Sequence, residues 1–80
     1  MKCMRVTKKG AESTIKPYLF EESGMIFLHK DMVEQAMNAV TEKFCNVYCG
    51  VEEGQAGSKK LVISSVNKSK MTKFVEVYIR

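Results

Sequence analysis

Around Phe44 the spacing of apolar residues changes period. Before it, Val33, Met37, Val40 and Phe44 recur at steps of four, three and four; after it, Cys45, Val47, Cys49 and Val51 recur at steps of two. The first spacing is one stripe of an α-helix and the second is one face of a pleated strand. Asp31 followed by Glu34 resembles a capping box, so the helix is expected over about 32–44, with Met32 and Ala36 flanking its apolar stripe. Glu34, Gln35, Asn38, Thr41 and Glu42 fall on its polar side. Some three and a half turns do not hold a helix in water unaided, so it must lie on a sheet.

The rest of the chain supplies that sheet. Lys60–Val66 is rich in β-formers, and Lys73–Arg80 alternates Val75, Val77 and Ile79 against Phe74, Glu76, Tyr78 and Arg80. Glu53–Ser58, with Gly54 and Gly57, reads as a loop, and Asn67–Thr72 as a polar turn region. Upstream, Lys2–Thr7 and Ile15–Phe20 read as strands joined by a loop containing Gly10, the second an edge because Pro17 has no N–H to donate. Met25–Leu28 reads as a third short strand or an extended lead-in. The expected fold class is α+β, a mostly antiparallel sheet of five to six strands with one helix on one face, in the order β-β-(β)-α-β-β-β. The covered face would carry Cys45, Val47, Val51, Val75, Val77 and Ile79.

Eighty residues suffice for one compact domain over 1–80 and no second core. With 45% hydrophobic and 28% charged residues the composition is that of a globular chain. The longest apolar run, Met25–Leu28, is far below the roughly 20 residues that span a bilayer, so no membrane partner is expected. Met1–Lys9 carries Lys2, Arg5, Lys8 and Lys9 with no apolar stretch behind them, which predicts no secretory signal. Three cysteines, Cys3, Cys45 and Cys49, then read as free thiols in a reducing, cytoplasmic setting.

The net charge is +4, unevenly spread. Residues 1–20 are basic, 21–55 hold seven carboxylates against Lys30 and Lys43, and 56–80 hold six cations against Glu76. Such a layout steers charged partners. Most cations are Lys, a poor reader of base edges, so sequence-specific DNA recognition is disfavoured while phosphate contact is not.

No motif fixes a reaction. Cys45 and Cys49, four apart on one strand, would stand about 13 Å apart, too far to share a zinc ion or a disulfide. His29 and Asp31 lack a nucleophile within local reach. Gly54–Gln55–Ala56–Gly57 precedes Ser58–Lys59 and a strand, the wrong order for a phosphate-binding loop entering a helix. No cofactor, metal or catalytic residue is therefore expected, and the chain reads as no enzyme.

The informative surface is the sheet face away from the helix, where alternation places Tyr48, Phe74 and Tyr78, with Glu52, Glu76 and Arg80 around them. Exposed aromatic patches mark contact sites. Three readings follow. The face docks a protein partner or a second copy of the chain; the chain's own N-terminal strands cover it with Tyr18 or Phe20; or bases stack on it. The leading reading is a small protein-interaction module, adaptor- or inhibitor-like or a homodimer. The alternative is a nucleic-acid-binding module that meets phosphates with Lys8, Lys9, Lys59, Lys60, Lys68, Lys70 and Lys73 at the strand connections.

Overall fold

The computed structural model describes residues 2–80. It is α+β, with two layers: a mostly antiparallel five-stranded sheet, and two helices together on one side of it. The helix read from the sequence is present as α2, Val33–Lys43. A 3₁₀ turn over Lys30–Met32 leads into it, with the His29 ring accepting the Asp31 N–H. The capping box expected of Asp31 and Glu34 does not form, because Met32 is the N-cap of α2 and no side chain caps it.

The second helix corrects the expectation of one. Lys8–Ile15 is α1, not a loop, and Thr7 caps it by accepting the Gly10 N–H at 3.0 Å. Its buried side chains, Ala11 and Ile15, are four apart on one face. The strand expected over Ile15–Phe20 is therefore displaced: Ile15 ends α1, while Leu19 and Phe20 open the strand Leu19–Glu22, which lies at the sheet edge as expected. Lys16–Tyr18 is a 3₁₀ turn in which Pro17 holds an early position, where a missing N–H does no harm. The first strand is also shorter than expected, and β1 is only Met4–Arg5.

The large sheet runs β2 (Leu19–Glu22), β3 (Met25–Leu28), β7 (Lys70–Ile79), β6 (Lys59–Asn67) and β5 (Val47–Glu53). Ser23 and Gly24, both at positive φ, make the two-residue turn of the β2–β3 hairpin. β3 then pairs in parallel with the end of β7, Phe27 beside Tyr78 and Leu28 beside Ile79. The polar turn region is narrower than expected, since β6 reaches Asn67 and β7 starts at Lys70. The long strand expected over Cys45–Glu53 breaks at Asn46, whose φ is 54°. Its first part, β4 (Phe44–Cys45), leaves the large sheet and pairs in parallel with β1.

A disulfide between Cys3 and Cys45, Cα atoms 5.3 Å apart, ties this small sheet together. Of the three cysteines read as free thiols, only Cys49 remains one. Cys45, weighed with Cys49 as a zinc or disulfide pair, is thus bonded to Cys3 instead. The inference of a reducing compartment loses its premise, because disulfides persist in oxidising settings.

The core lies between the helices and the sheet. Ala11, Ile15, Ala36 and Val40 meet Leu28, Leu61, Ile63 and Val77, with Val6 and Phe44 closing one end. Val47, Cys49, Val75 and Ile79 pack against this cluster, as the alternation predicted, whereas Val51 lies near the sheet edge and is exposed. Burial desolvates the Cys49 thiol and pushes its pKa up to about 11. No helix is long and apolar enough to cross a membrane among the described residues.

Candidate functional site

Both helices lie on one side, so the other face of the sheet carries no layer. Its rows follow from the strand register. Tyr48, Gly50 and Glu52 of β5 stand beside Ser64, Val62 and Lys60 of β6, and the last two stand beside Glu76 and Tyr78 of β7. Phe27 of β3 follows Tyr78, and Phe20 of β2 follows Phe27.

Phe74 does not belong to this face, which corrects the sequence reading. Ile63 pairs with Val75 while Ser64 pairs with Lys73, so Phe74 is the extra residue of a β-bulge. The bulge turns Phe74 inward, half-buried against the core, and turns Lys73 outward in its place. Strict alternation through the strand assigns both residues to the wrong face.

Tyr48, Tyr78, Glu52, Glu76 and Arg80 are where the sequence placed them. Tyr48 is 39% exposed and Tyr78 50%. Gly50 permits the Tyr48 ring to lie flat on the sheet, for a Cβ at residue 50 would land on the tyrosine hydroxyl and 2.8 Å from its Cζ. The reading in which N-terminal strands roof the face fails. Tyr18 packs into the core on the helix side, and Phe20 lies within the sheet beside Phe27, ring centroids 5.7 Å apart.

Two residues that the sequence reading left out, Phe27 and Met25, complete the aromatic end. Phe27 is 8% exposed, held between Phe20 and the Arg80 guanidinium 5.1 Å from its ring centroid. Met25, two positions along β3, is 53% exposed. Their signal was the alternation inside Met25–Leu28, where Leu28 goes to the core and Phe27 to the open face.

The charges on this face are matched to one another. Lys60 Nζ donates to Glu76 Oε2 at 2.6 Å, and Lys73 Nζ lies 3.5 Å from Glu76 and 4.0 Å from Glu52. Arg80 pairs with Glu22 at 2.8 Å. The hydrogen bond from Lys60 holds the Glu76 carboxyl below its ordinary pKa, and the same bond raises the Lys60 ammonium above its own. Three carboxylates and three cations leave the face without net charge.

The lysines proposed for phosphate contact do not form one surface. Lys60 and Lys73 belong to the ion network just described. Lys59 begins β6, the strand whose far end, some 26 Å away, leads to Lys68 and Lys70. Lys8 and Lys9 open α1, three and four residues after Arg5. Arg5 in turn lines one cleft with Asn67 and Thr72, next to the hairpin that carries Lys68 and Lys70.

No family model, curated protein or solved structure matches this chain.

Proposed function

We propose that this chain is a protein-interaction module rather than an enzyme, that its working surface is the open sheet face, and that the occupant is a second copy of the chain. The observation that carries this reading is a face that neither helix covers, with exposed Tyr48 on one side of the Lys60–Glu76 pair and Tyr78, Phe27, Phe20 and exposed Met25 on the other. Exposed apolar surface of this kind favours burial, and tyrosine brings large contact area at small entropic cost. The charge balance selects the occupant. A face that holds three carboxylates matched by three cations does not repel its own copy, and it offers a polyanion no net attraction.

The area is of the right order. The five strands are of unequal length, from four residues in β2 and β3 to ten in β7, and at about 3.3 by 4.8 Å per residue they cover roughly 540 Å² before side-chain relief. Specific interfaces bury about 800 Å² per partner. A two-fold apposition would set Tyr48 and Tyr78 of each copy against the other's sheet face, with the Lys60–Glu76 pair within the contact and Glu52, Lys73 and the Glu22–Arg80 pair toward its rim.

Sedimentation equilibrium across a concentration series tests this. The expected result is a concentration-dependent rise from 9.1 kDa to twice that mass. Tyr78→Glu should weaken the association by about 30-fold or more, as expected of a central aromatic anchor, without loss of the circular dichroism of the fold. A monomer at every concentration, or a dimer indifferent to Tyr78→Glu, overturns the proposal.

A further inference from the structure

We propose that the cleft between β1, the β4–β5 junction and the β6–β7 hairpin binds a phosphate group. The cleft has a volume of about 200 Å³ and is lined by Arg5, Val6, Asn46, Ser65, Asn67, Thr72 and Phe74. It lies at the end of the sheet, apart from the open face.

Three separated parts of the chain build it. Arg5 pairs with Cys45 in the small sheet, and the Cys3–Cys45 disulfide fixes that strand two residues from Arg5. Asn46 follows Cys45 in the left-handed region, with its carbonyl accepting the Val66 N–H at 2.8 Å. Asn is among the residues that adopt that conformation most readily, and here it turns the chain from β4 into β5. Ser65 and Thr72 are ladder partners on β6 and β7, and Asn67 stands at the mouth of their turn. The bulge that turns Phe74 inward gives the cleft its apolar wall.

The donor set chooses the ligand. A guanidinium presents a planar fork of N–H groups suited to two oxygens of one phosphate. Two carboxamides and two hydroxyls can supply further donors around a tetrahedral anion. No carboxylate lines the cleft, and Arg5 makes no ion pair among the described residues, so its charge is unspent. Lys68 and Lys70 flank the hairpin turn, and Lys8 and Lys9 follow Arg5 closely, so the potential around the opening is positive. A single water takes about 30 Å³, so the cleft has room for a phosphate and the first atoms of an ester.

Amide chemical-shift titration of the intact, oxidised protein tests the site, with three probes: inorganic phosphate, thymidine 5′-monophosphate and thymidine. Salt is held at about 150 mM, where lysines more than about 8 Å from an anion are screened. Saturable shifts at Arg5, Asn46, Ser65, Asn67 and Thr72 are expected with both phosphates, with Kd at or below about 1 mM, and none with thymidine. Equal affinities assign the site to free phosphate; tighter binding of the nucleotide assigns it to a phosphate ester. Arg5→Gln should weaken binding about tenfold or more and Arg5→Lys less, while Lys68→Gln with Lys70→Gln changes it less than about threefold. Arg5 is exposed, so these variants should retain the fold, which their thermal transitions check. The proposal is overturned by the absence of shifts, by unsaturable shifts confined to lysine-bearing segments, or by equal losses in the Arg5 and lysine variants.

Discussion

Removal of the Cys3–Cys45 bond should cost this small domain a large part of its stability. The bonded residues lie 42 apart in sequence, so the crosslink closes more than half of the chain into a loop. In the chain-entropy model a loop of that size restricts the unfolded ensemble by about 4 kcal/mol at 25 °C, and measured values fall mostly at 2–4 kcal/mol. A chain of 80 residues has only a few kcal/mol of net stability to lose. The effect should appear as a fall in Tm of at least about 8 °C, taking about 4 °C per kcal/mol as the lower limit for a domain of this size. The assay is thermal unfolding by circular dichroism of the oxidised protein and of Cys3→Ser. Cys3 is exposed, so the substitution removes little packing. The oxidised protein treated with a phosphine reductant provides an independent route to the same state. A Tm shift below about 3 °C by both routes would show that the bond does not constrain the unfolded chain, and the argument from loop length would fail.

Other consequences follow from the placement of particular side chains. Phe74→Ala should destabilise by about 2 kcal/mol, somewhat below a fully buried phenylalanine, while Tyr78→Ala should cost under about 1 kcal/mol in the monomer; urea unfolding of both distinguishes the bulged strand from a regular one. The Cys49 thiol, pushed up to about 11 against an ordinary 9.0, should be alkylated by iodoacetamide at pH 8 about 100-fold more slowly than a small-molecule thiol, as followed by mass spectrometry. The Lys60–Glu76 pair should stabilise the fold through neutral pH. Glu76 is depressed, so its contribution is present above its ordinary pKa and fades as pH falls through the folded value. Lys60 is raised, so its contribution is present below its ordinary pKa and fades as pH rises through the folded value. Glu76→Gln should accordingly be less stable than the parent at pH 7 and indistinguishable from it in strong acid, and a deficit unchanged at low pH would contradict the pairing.

The parts of this fold legible in the sequence were those where one period governs a whole element. Val33 to Phe44 keeps a helical stripe and is helical nearly as expected. Val75, Val77 and Ile79 go inward, and Tyr78 and Arg80 outward, because the end of β7 is regular. The errors arose where a local contact breaks the period. A bulge adds one residue to β7, and every assignment on the turn side of it shifts by one, which moved Phe74 inward and Lys73 outward. The positive φ of Asn46 ended one strand and started another, which the unbroken alternation from Cys45 to Val51 concealed. In α1 Gly10 suggested a loop, whereas the Thr7 cap and the pair Ala11 and Ile15 were the weak signals of a helix that tertiary packing completes. The disulfide was beyond sequence reasoning, because the parallel pairing of β1 with β4 that brings Cys3 beside Cys45 leaves no local pattern.

The open face and its occupant are tested most directly by isotope-filtered nuclear Overhauser spectroscopy on a mixture of labelled and unlabelled chains. Contacts between molecules are expected from the rings of Tyr48 and Tyr78 and from the Met25 methyl. Intermolecular contacts from the α1 and α2 surfaces instead, or none at millimolar concentration, would contradict the assignment of the bare sheet face as the interface.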